Sequence, residues 1–264
     1  MSFIVKPSLI GAGKIGYKNL FTELGATVTA STEETDYDKE NAYDGFGYDW
    51  WKPTVAGDSW LRVSLVAAQT ADYMAIWGHD LSLHGSSIKT QYSIDNGSTW
   101  VDATYVVTPT NDNTIFINFT TILAADWRVL VTNPTTIAAI AGVQIGEALT
   151  FPRAMENGFA PPSLAPMIKL KTSRTESGAF LGGSKLSEGI KGSFNLTNLN
   201  PAWVRSVWQP FINYAQTPKT FVFSWDSVNH SNEVILGWVT DKVPDPKYIT
   251  PLLMSISLNF EGTL

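Results

Sequence analysis

The chain has no cysteine, so a disulfide framework, a thiolate metal site and a thiol nucleophile are all excluded. It has little histidine: His79, His84 and His230 are the three. The first two flank a single Asp in a turn-rich stretch and lack the HExxH spacing that sets two imidazoles on one helix face. No apolar run nears the ~18 residues a membrane helix requires, so no membrane insertion is expected. The opening MSFIVKPSLIGAGKIG does not join a basic start to an unbroken apolar stretch, so no signal peptide is expected either. Charge is scarce, at 16% of residues. Residues 1–155 carry sixteen acidic against nine basic side chains, and residues 156–264 carry eight against nine. An acidic first half is a poor surface for nucleic acid or anionic lipid, which bind through grouped Lys and Arg.

What the chain does have is aromatic residues, 12% of the total with ten Trp, and these favour strands, sugar sites and interfaces. Trp60-Leu-Arg-Val-Ser-Leu65 alternates, with Leu61, Val63 and Leu65 on one face, the pattern of a half-buried strand. Tyr73 to Trp77 is a second apolar run, stopped by Gly78. Ile88 to Ile94 is a third, in which Ile88, Thr90, Tyr92 and Ile94 share a face. It ends at Asp95-Asn96-Gly97-Ser98, where Asn and Gly accept positive φ, and Trp100 and Val101 begin a return strand. Ile115–Phe119 and Trp127–Val131 continue the pattern, and Ile137 to Ile145 reads as a short helical turn before a closing strand. Strands joined by turns, with no helix-length segment between them, predict an antiparallel β-sandwich.

Gly11-Ala12-Gly13-Lys14-Ile15-Gly16 matches GxGxxG, with apolar Phe3-Ile4-Val5 before it and Glu33 at the distance of a ribose-binding acid. Pro7 interrupts the would-be strand, and only Tyr17 to Leu24 is left for a helix before Gly25. A crossover helix needs about ten or more residues and no further βαβ units follow, so a glycine-flexible arm or turn is expected. Ser31 to Asp44 is acidic and turn-rich and reads as a solvated loop. Asp36, Asp38 and Glu40 can supply oxygen ligands but lack EF-hand spacing. Adjacent Trp50 and Trp51 cannot both point inward from a strand, and an indole left outside is either a sugar platform or a packing surface. His79 and His84 are either polar contacts for sugar hydroxyls or ordinary loop residues.

Phe151 to Pro166 holds four prolines and a glycine, and no helix or central strand survives that. The expected division is a domain over 1–155, a linker over 156–166 and a second domain over 167–264. In the latter, Met167–Lys171 alternates, a Gly- and Ser-rich loop runs from Ser177 to Gly189, and Ile190, Gly192, Phe194 and Leu196 share a strand face. Asn200 offers an N-cap to Pro201, and Trp203 to Ile212 recur at helical spacing until Pro210, which should kink or end the helix near Trp208. Three strands follow, the last with Leu252, Met254, Ile256, Leu258 and Phe260 on one face.

Asn41-Ala-Tyr-Asp-Gly45, Trp60–Leu65, Ile76-Trp-Gly78, Tyr92–Trp100 and Trp127–Val131 follow one another as in the galactose-binding-like (discoidin-type) jelly roll of carbohydrate-binding modules, which the first half resembles. That resemblance implies a glycan as ligand, on the host surface, and residue type and loop position make Trp50, Trp51, His79 and His84 the candidate sugar-facing residues. It also implies a structural Ca2+ beside the Asp-Gly turn, with Asp44 as ligand, and otherwise no cofactor. Residues 167–264, with one helix among strands and a long glycine-rich loop, resemble the tail-tube-like ring domain of phage distal tail proteins. The whole is then mainly β: a jelly-roll β-sandwich followed by a tail-tube-like β-sandwich or barrel with one helix. The second resemblance implies a non-enzymatic virion protein made in the host cytoplasm. It would form a ring with itself, a hexamer by family, through Phe180 and Leu181, and contact the tail tube and tail hub. Against it stands a carbohydrate-binding module attached to a glycan-active hydrolase, with Asp226, Glu233, Asp241 and Asp245 as the available carboxylates and no catalytic pair singled out.

Overall fold

A computed structural model describes residues 12–133, 136–156, 158–161, 164 and 166–263. It is mainly β with one helix, as expected. The chain forms two compact units, one of residues up to Met155 with Phe223–Val234, the other of Glu156–Val222 with Ile235 onward.

In the first unit the strands are β1 (Lys14–Gly16), β2 (Thr27–Ala30), β3 (Gly57–His79), β4 (Ser87–Ser93), β5 (Val101–Asp102), β6 (Ile115–Asn133), β7 (Ile140–Gly146) and β8 (Leu149–Thr150). Trp60–Leu65 and Tyr73–Trp77 are two ends of one strand rather than two strands, and Ile115–Phe119 and Trp127–Val131 are likewise joined in β6. β3 and β6 pair antiparallel from Gly57↔Asn133 to Ile76↔Ile115, with register shifts between Ser64 and Gln69 and between Ala71 and Tyr73. Those irregularities bend both strands. Their outer ends lie with β2, β4 and β5, and the inner end of β3 pairs with β7. Leu61, Val63, Met74, Ile76, Trp127 and Val129 from the two ends then close on one core. The alternation in Trp60–Leu65 is real, with Leu61 and Val63 buried and Trp60 and Arg62 half-buried. Ile94 departs from its expected face, because it lies in the turn and is exposed. Ile137 to Ala139 is not helical before β7.

The second half of the GxGxxG stretch is strand. Lys14 and Ile15 pair with Thr150 and Leu149, and only a single 3-10 turn, Leu20–Thr22, follows. No helix start is offered to a pyrophosphate there, while Gly11 and Phe3–Val5 lie outside the described residues.

The second unit contains β9 (Pro166–Arg174), β10 (Phe180–Leu199), β11 (Phe221–Ser224, whose last two residues cluster with the first unit), β12 (Val234–Trp238), β13 (Lys247–Thr250) and β14 (Leu253–Thr263). The strand order is β11-β12-β14-β10-β9, with β13 on β14. The expected Ser177–Gly189 loop is mostly β10. Its glycines and serines are poor strand formers, but the backbone ladder from Phe180↔Arg174 to Gly189↔Met167 holds them extended. The helix is capped as expected, with the Asn200 side chain accepting from Ala202 N at 2.8 Å. Pro210 does not end it. A π turn over Val204–Trp208, closed by Gln209 N on the Val204 carbonyl, widens the helix just before the proline, and α-helix resumes over Gln209–Ala215. Trp208 packs on Phe211, Phe211 on Phe221 and Phe221 on Phe260, with centroids 5.1–5.9 Å apart. Gly192 leaves room for the Phe260 ring, since a Cβ there would lie 2.3 Å from its Cζ.

Candidate functional site

The long connection between β2 and β3 carries the aromatic loop Phe46–Trp50. Its entry is an Asp-Gly turn in which Asp44 Oδ1 accepts the Phe46 amide at 2.8 Å. Phe46, Tyr48 and Trp50 are 52%, 76% and 42% exposed, and the Phe46 and Tyr48 rings lie 5.4 Å apart. Trp51 is not a sugar-facing residue. It is buried, its Nε1 donates to the Thr32 carbonyl at 3.1 Å, and its backbone exchanges two hydrogen bonds with Ile140. One indole anchors the loop to β7 and its neighbour is turned outward, which is the strand-like alternation expected of the pair. Beneath the loop, buried Trp77 donates from Nε1 to the Phe46 carbonyl at 3.4 Å, and Asn41 Nδ2 holds the Trp50 carbonyl at 3.1 Å.

Burial pushes the Asp44 carboxyl up from its ordinary value, the Phe46 amide opposes this, and neighbouring Asp49 raises it further. Asp49 Oδ1 is buried without a hydrogen-bond partner. Two carboxylates fall short of a calcium cage, which gathers about 6–8 oxygens. Among the described residues no three His, Cys, Asp or Glu side chains gather to hold a metal. The Ca2+ expected at Asp44 therefore lacks a side-chain ligand set, and Asp44 serves to close the turn.

The second loop, Asp80–Ser86, follows β3. His79, expected to face a sugar, is buried instead: its Nε2 donates to the Asn113 carbonyl at 2.9 Å, and Nδ1 lies 3.6 Å from Asp112, beyond hydrogen-bond reach. Burial is the main influence and holds its pKa below the ordinary value, so the ring is neutral at pH 7. His84 stays near the surface between Thr136 Oγ1 at 2.8 Å and Asp80 Oδ2 at 3.2 Å. Asp80 Oδ1 accepts the Ala139 amide at 2.7 Å, and Asp112 Oδ1 accepts the Ser82 amide and hydroxyl. The Ala139–Ile140 segment thus ties both loops to one end of the unit, through Asp80 on one side and Trp51 on the other. Exposed indole and phenyl faces beside a partly exposed imidazole and carboxylate can stack on the apolar face of a pyranose and bond its hydroxyls.

The Asp95–Trp100 turn has a structural role. Ser93 and Thr99 hydroxyls and the Thr99 amide bind the Asp95 carboxylate and pull its pKa down to about 2. Gly97 has φ +82° and sits against Arg62, whose guanidinium a Cβ would meet at 2.7 Å. Arg62 and Ser64 converge on buried Asp126 at 2.6 Å, and Trp100 covers Arg128 at 4.2 Å. Sequence reading missed this cluster. Its only signal was the polar set Arg62, Ser64, Asp126 and Arg128 alternating with buried residues on two strands that pair far apart in sequence.

Three of the four carboxylates available to a hydrolase are engaged elsewhere, and the fourth, Asp241, is exposed. Asp226 is buried and accepts the Val228 and Asn229 amides, Glu233 accepts Trp225 Nε1 at 2.7 Å, and Asp245 pairs with Lys242. Phe180 and Leu181, on β10 of the second unit, are 69% and 66% exposed.

No protein-family model matches the sequence, and no curated protein matches it. Solved structures do. A Ruminococcus gnavus GH29 fucosidase in complex with fucose is 16% identical over 50% of this chain, with a TM-score of 0.44; the match spans 27% of the fucosidase chain. The chitosan-binding module 1 derived from a chitosanase/glucanase of Paenibacillus sp. IK-5 is 26% identical over 49% of this chain and 98% of its own, with a TM-score of 0.40. CpGH89CBM32-5 from Clostridium perfringens, in complex with GalNAc-β-1,3-galactose, is 13% identical over 46% of this chain and 94% of its own, with a TM-score of 0.40. Carbohydrate-binding modules are among the solved structures to which this chain is similar.

Proposed function

We propose that the protein is a non-catalytic glycan-binding protein whose first unit holds sugar at the Phe46–Trp50 rim. The observation that carries this reading is three exposed aromatic rings on one short loop, held from below by buried Trp51 and Trp77. Such a loop is ordered before ligand arrives, so little affinity is lost to fixing it. Trp50 and Tyr48 supply stacking faces, and His84 with Asp80 supplies polar contacts. A glycan array followed by titration of the best ligand tests it. Trp50→Ala and Tyr48→Ala should each weaken binding by about tenfold, or ~1.4 kcal/mol. Undiminished binding by the double variant, or by one that adds His84→Ala, overturns the rim as the site.

A second reading rests on a different observation. All nine residues of β9 are exposed, as are Phe180, Leu181 and Leu186 on the strand beside it. A two-stranded ribbon bare on both faces is marginal in water, and an unpaired strand edge invites another chain. On this reading the ribbon joins copies of the protein in a closed ring, a hexamer in the family it resembles. The phage tail-tip role, with the tail tube and hub as further partners, belongs to this reading, and the glycan-binding unit would then face the host.

A further inference from the structure

The segment Phe223–Val234 clusters with the first unit although it lies far along the chain. Its tip faces the connection between β5 and β6 across a cleft of about 230 Å³. The cleft is lined by Tyr105, Thr108, Thr110, Asn113, Ser231 and Asn232 among others, and no lining residue carries a charged side chain. Among the described residues, none of these six side chains makes a hydrogen bond within the protein. The loops nearby behave otherwise: Ser82 is bound to Asp112, and His84 to Thr136 and Asp80. Hydroxyls and amides without internal partners converge here, and Tyr105 stands 74% exposed at the edge.

Both walls are fixed. Asp226 accepts the Val228 and Asn229 amides and Asn229 Nδ2. The Trp225 ring stacks on His230 at 4.7 Å, and its Nε1 is held by Glu233. Across the cleft, Val107 exchanges two backbone hydrogen bonds with Ile88, Asn111 Oδ1 accepts the Asn113 amide, and His79 holds the Asn113 carbonyl. The buried carboxylate of Asp226 thus braces the turn that presents Ser231 and Asn232.

We infer that this cleft is a second saccharide site, which takes one uncharged sugar ring. Tyr105 offers the apolar platform, and Asn113, Ser231 and Asn232 offer donors and acceptors to ring hydroxyls. The volume falls below the ~300–1,000 Å³ of pockets for drug-sized ligands, which fits a single ring better than a chain. A uronate or sulfated sugar would bring an anion to walls that carry no cation, at a desolvation cost with nothing to offset it.

Amide NMR spectra of the full chain, titrated with methyl β-galactoside, methyl β-glucoside and glucuronate, test this. With at least one neutral glycoside, amides at 105–114 and 229–233 should move. The movement should vanish in Tyr105→Ala and Asn232→Ala and persist in Trp50→Ala. Glucuronate should bind the cleft at least tenfold more weakly. Both residues are exposed, and an otherwise unchanged spectrum verifies the fold, with Ser231→Ala as a second variant. Movement confined to the Phe46–Trp50 loop sinks the second site and leaves the rim reading standing. Cleft shifts that survive Tyr105→Ala and Asn232→Ala, that are lost in Trp50→Ala, or that glucuronate matches also overturn it. No movement at the cleft with either glycoside does the same.

Discussion

Alanine at Gly142 should disturb the Phe46–Trp50 loop, the proposed sugar site, without touching it. Gly142 on β7 pairs with Trp77 on β3. A Cβ at 142 would lie 1.8 Å from Trp77 Cε2, 2.2 Å from Nε1 and 2.3 Å from Cδ2. Carbon atoms rest at ~3.5 Å or more, so the indole must retreat by about 1.7 Å. Trp77 is 3% exposed, so there is little free space to retreat into. Overpacking of this kind costs ~1–3 kcal/mol, and the upper half of that range applies when a whole ring must move. The displaced Nε1 also releases the Phe46 carbonyl, so glycan affinity should fall together with stability. Removing the ring first reverses the outcome. Trp77→Ala alone costs ~3–5 kcal/mol through the cavity it leaves. In that background the alanine methyl meets empty space, so a coupling of ~1–3 kcal/mol is expected between the two sites. Hydrogen exchange of β3 and β7 amides, measured on the two single variants and the double, reads these energies locally. The reasoning is refuted if Gly142→Ala costs under ~0.5 kcal/mol, the size of an ordinary surface change. It is refuted equally if the substitution costs the same with and without Trp77.

Two further expectations concern acid and assembly. His79 has its folded pKa held below the ordinary 6.5, so the unfolded chain takes up the proton first. The stability that neutral His79 supports is complete above the unfolded value and is lost as pH falls from there towards the folded one. His79→Gln should flatten the decline in stability between pH ~7 and ~5, and equal slopes for the two proteins would dismiss this account. Phe180→Asp with Leu181→Asp should weaken self-association while leaving the melting profile unchanged, because both side chains are already in water. A wild-type protein that sediments as a monomer at high concentration removes the ring reading.

The half-solvated strand at Trp60–Leu65 was legible because one of its faces is wet, which imprints the period of two. Tyr73–Trp77 is buried on both faces, so it shows an apolar run and no period. The continuity between them runs through Val66 to Thr70, a stretch that reads as a loop until Gln69 and Thr70 find Ala124 and Leu123 on β6. Ser177–Gly189 misleads for the same reason, since propensity spoke for a loop and a partner strand decided otherwise. Of the four residues expected to face sugar, Trp50 and His84 are near the surface while Trp51 and His79 are inside. That sorting is made by Ile140 and Asn113, neither of which is a sequence neighbour. Tyr48 and Phe46 lie in the same aromatic stretch as the two indoles, and nothing in its pattern marks which of the four rings point outward. The cleft at Tyr105 cannot be read from the sequence, because one of its walls comes from Ser231 and Asn232, more than a hundred residues further along the chain.

The β3–β6 pairing also sets a timetable for synthesis. β2 can meet β3 as soon as both have left the ribosome, since Thr27↔Ser64 needs nothing downstream. The longer ladder cannot begin until Ile115 arrives opposite Ile76, nor finish until Asn133 reaches Gly57. That last pair is about 76 residues apart, roughly 4–15 s of elongation at ~5–20 residues per second. Between the synthesis of Trp77 and that of Ile115, Met74, Ile76 and Trp77 have neither β6 nor β7 to cover them. A nascent chain paused between Trp77 and Ile115 would expose this stretch to chaperones or to its polysome neighbours. Faster elongation through β4 and β5 should therefore raise the yield of folded protein.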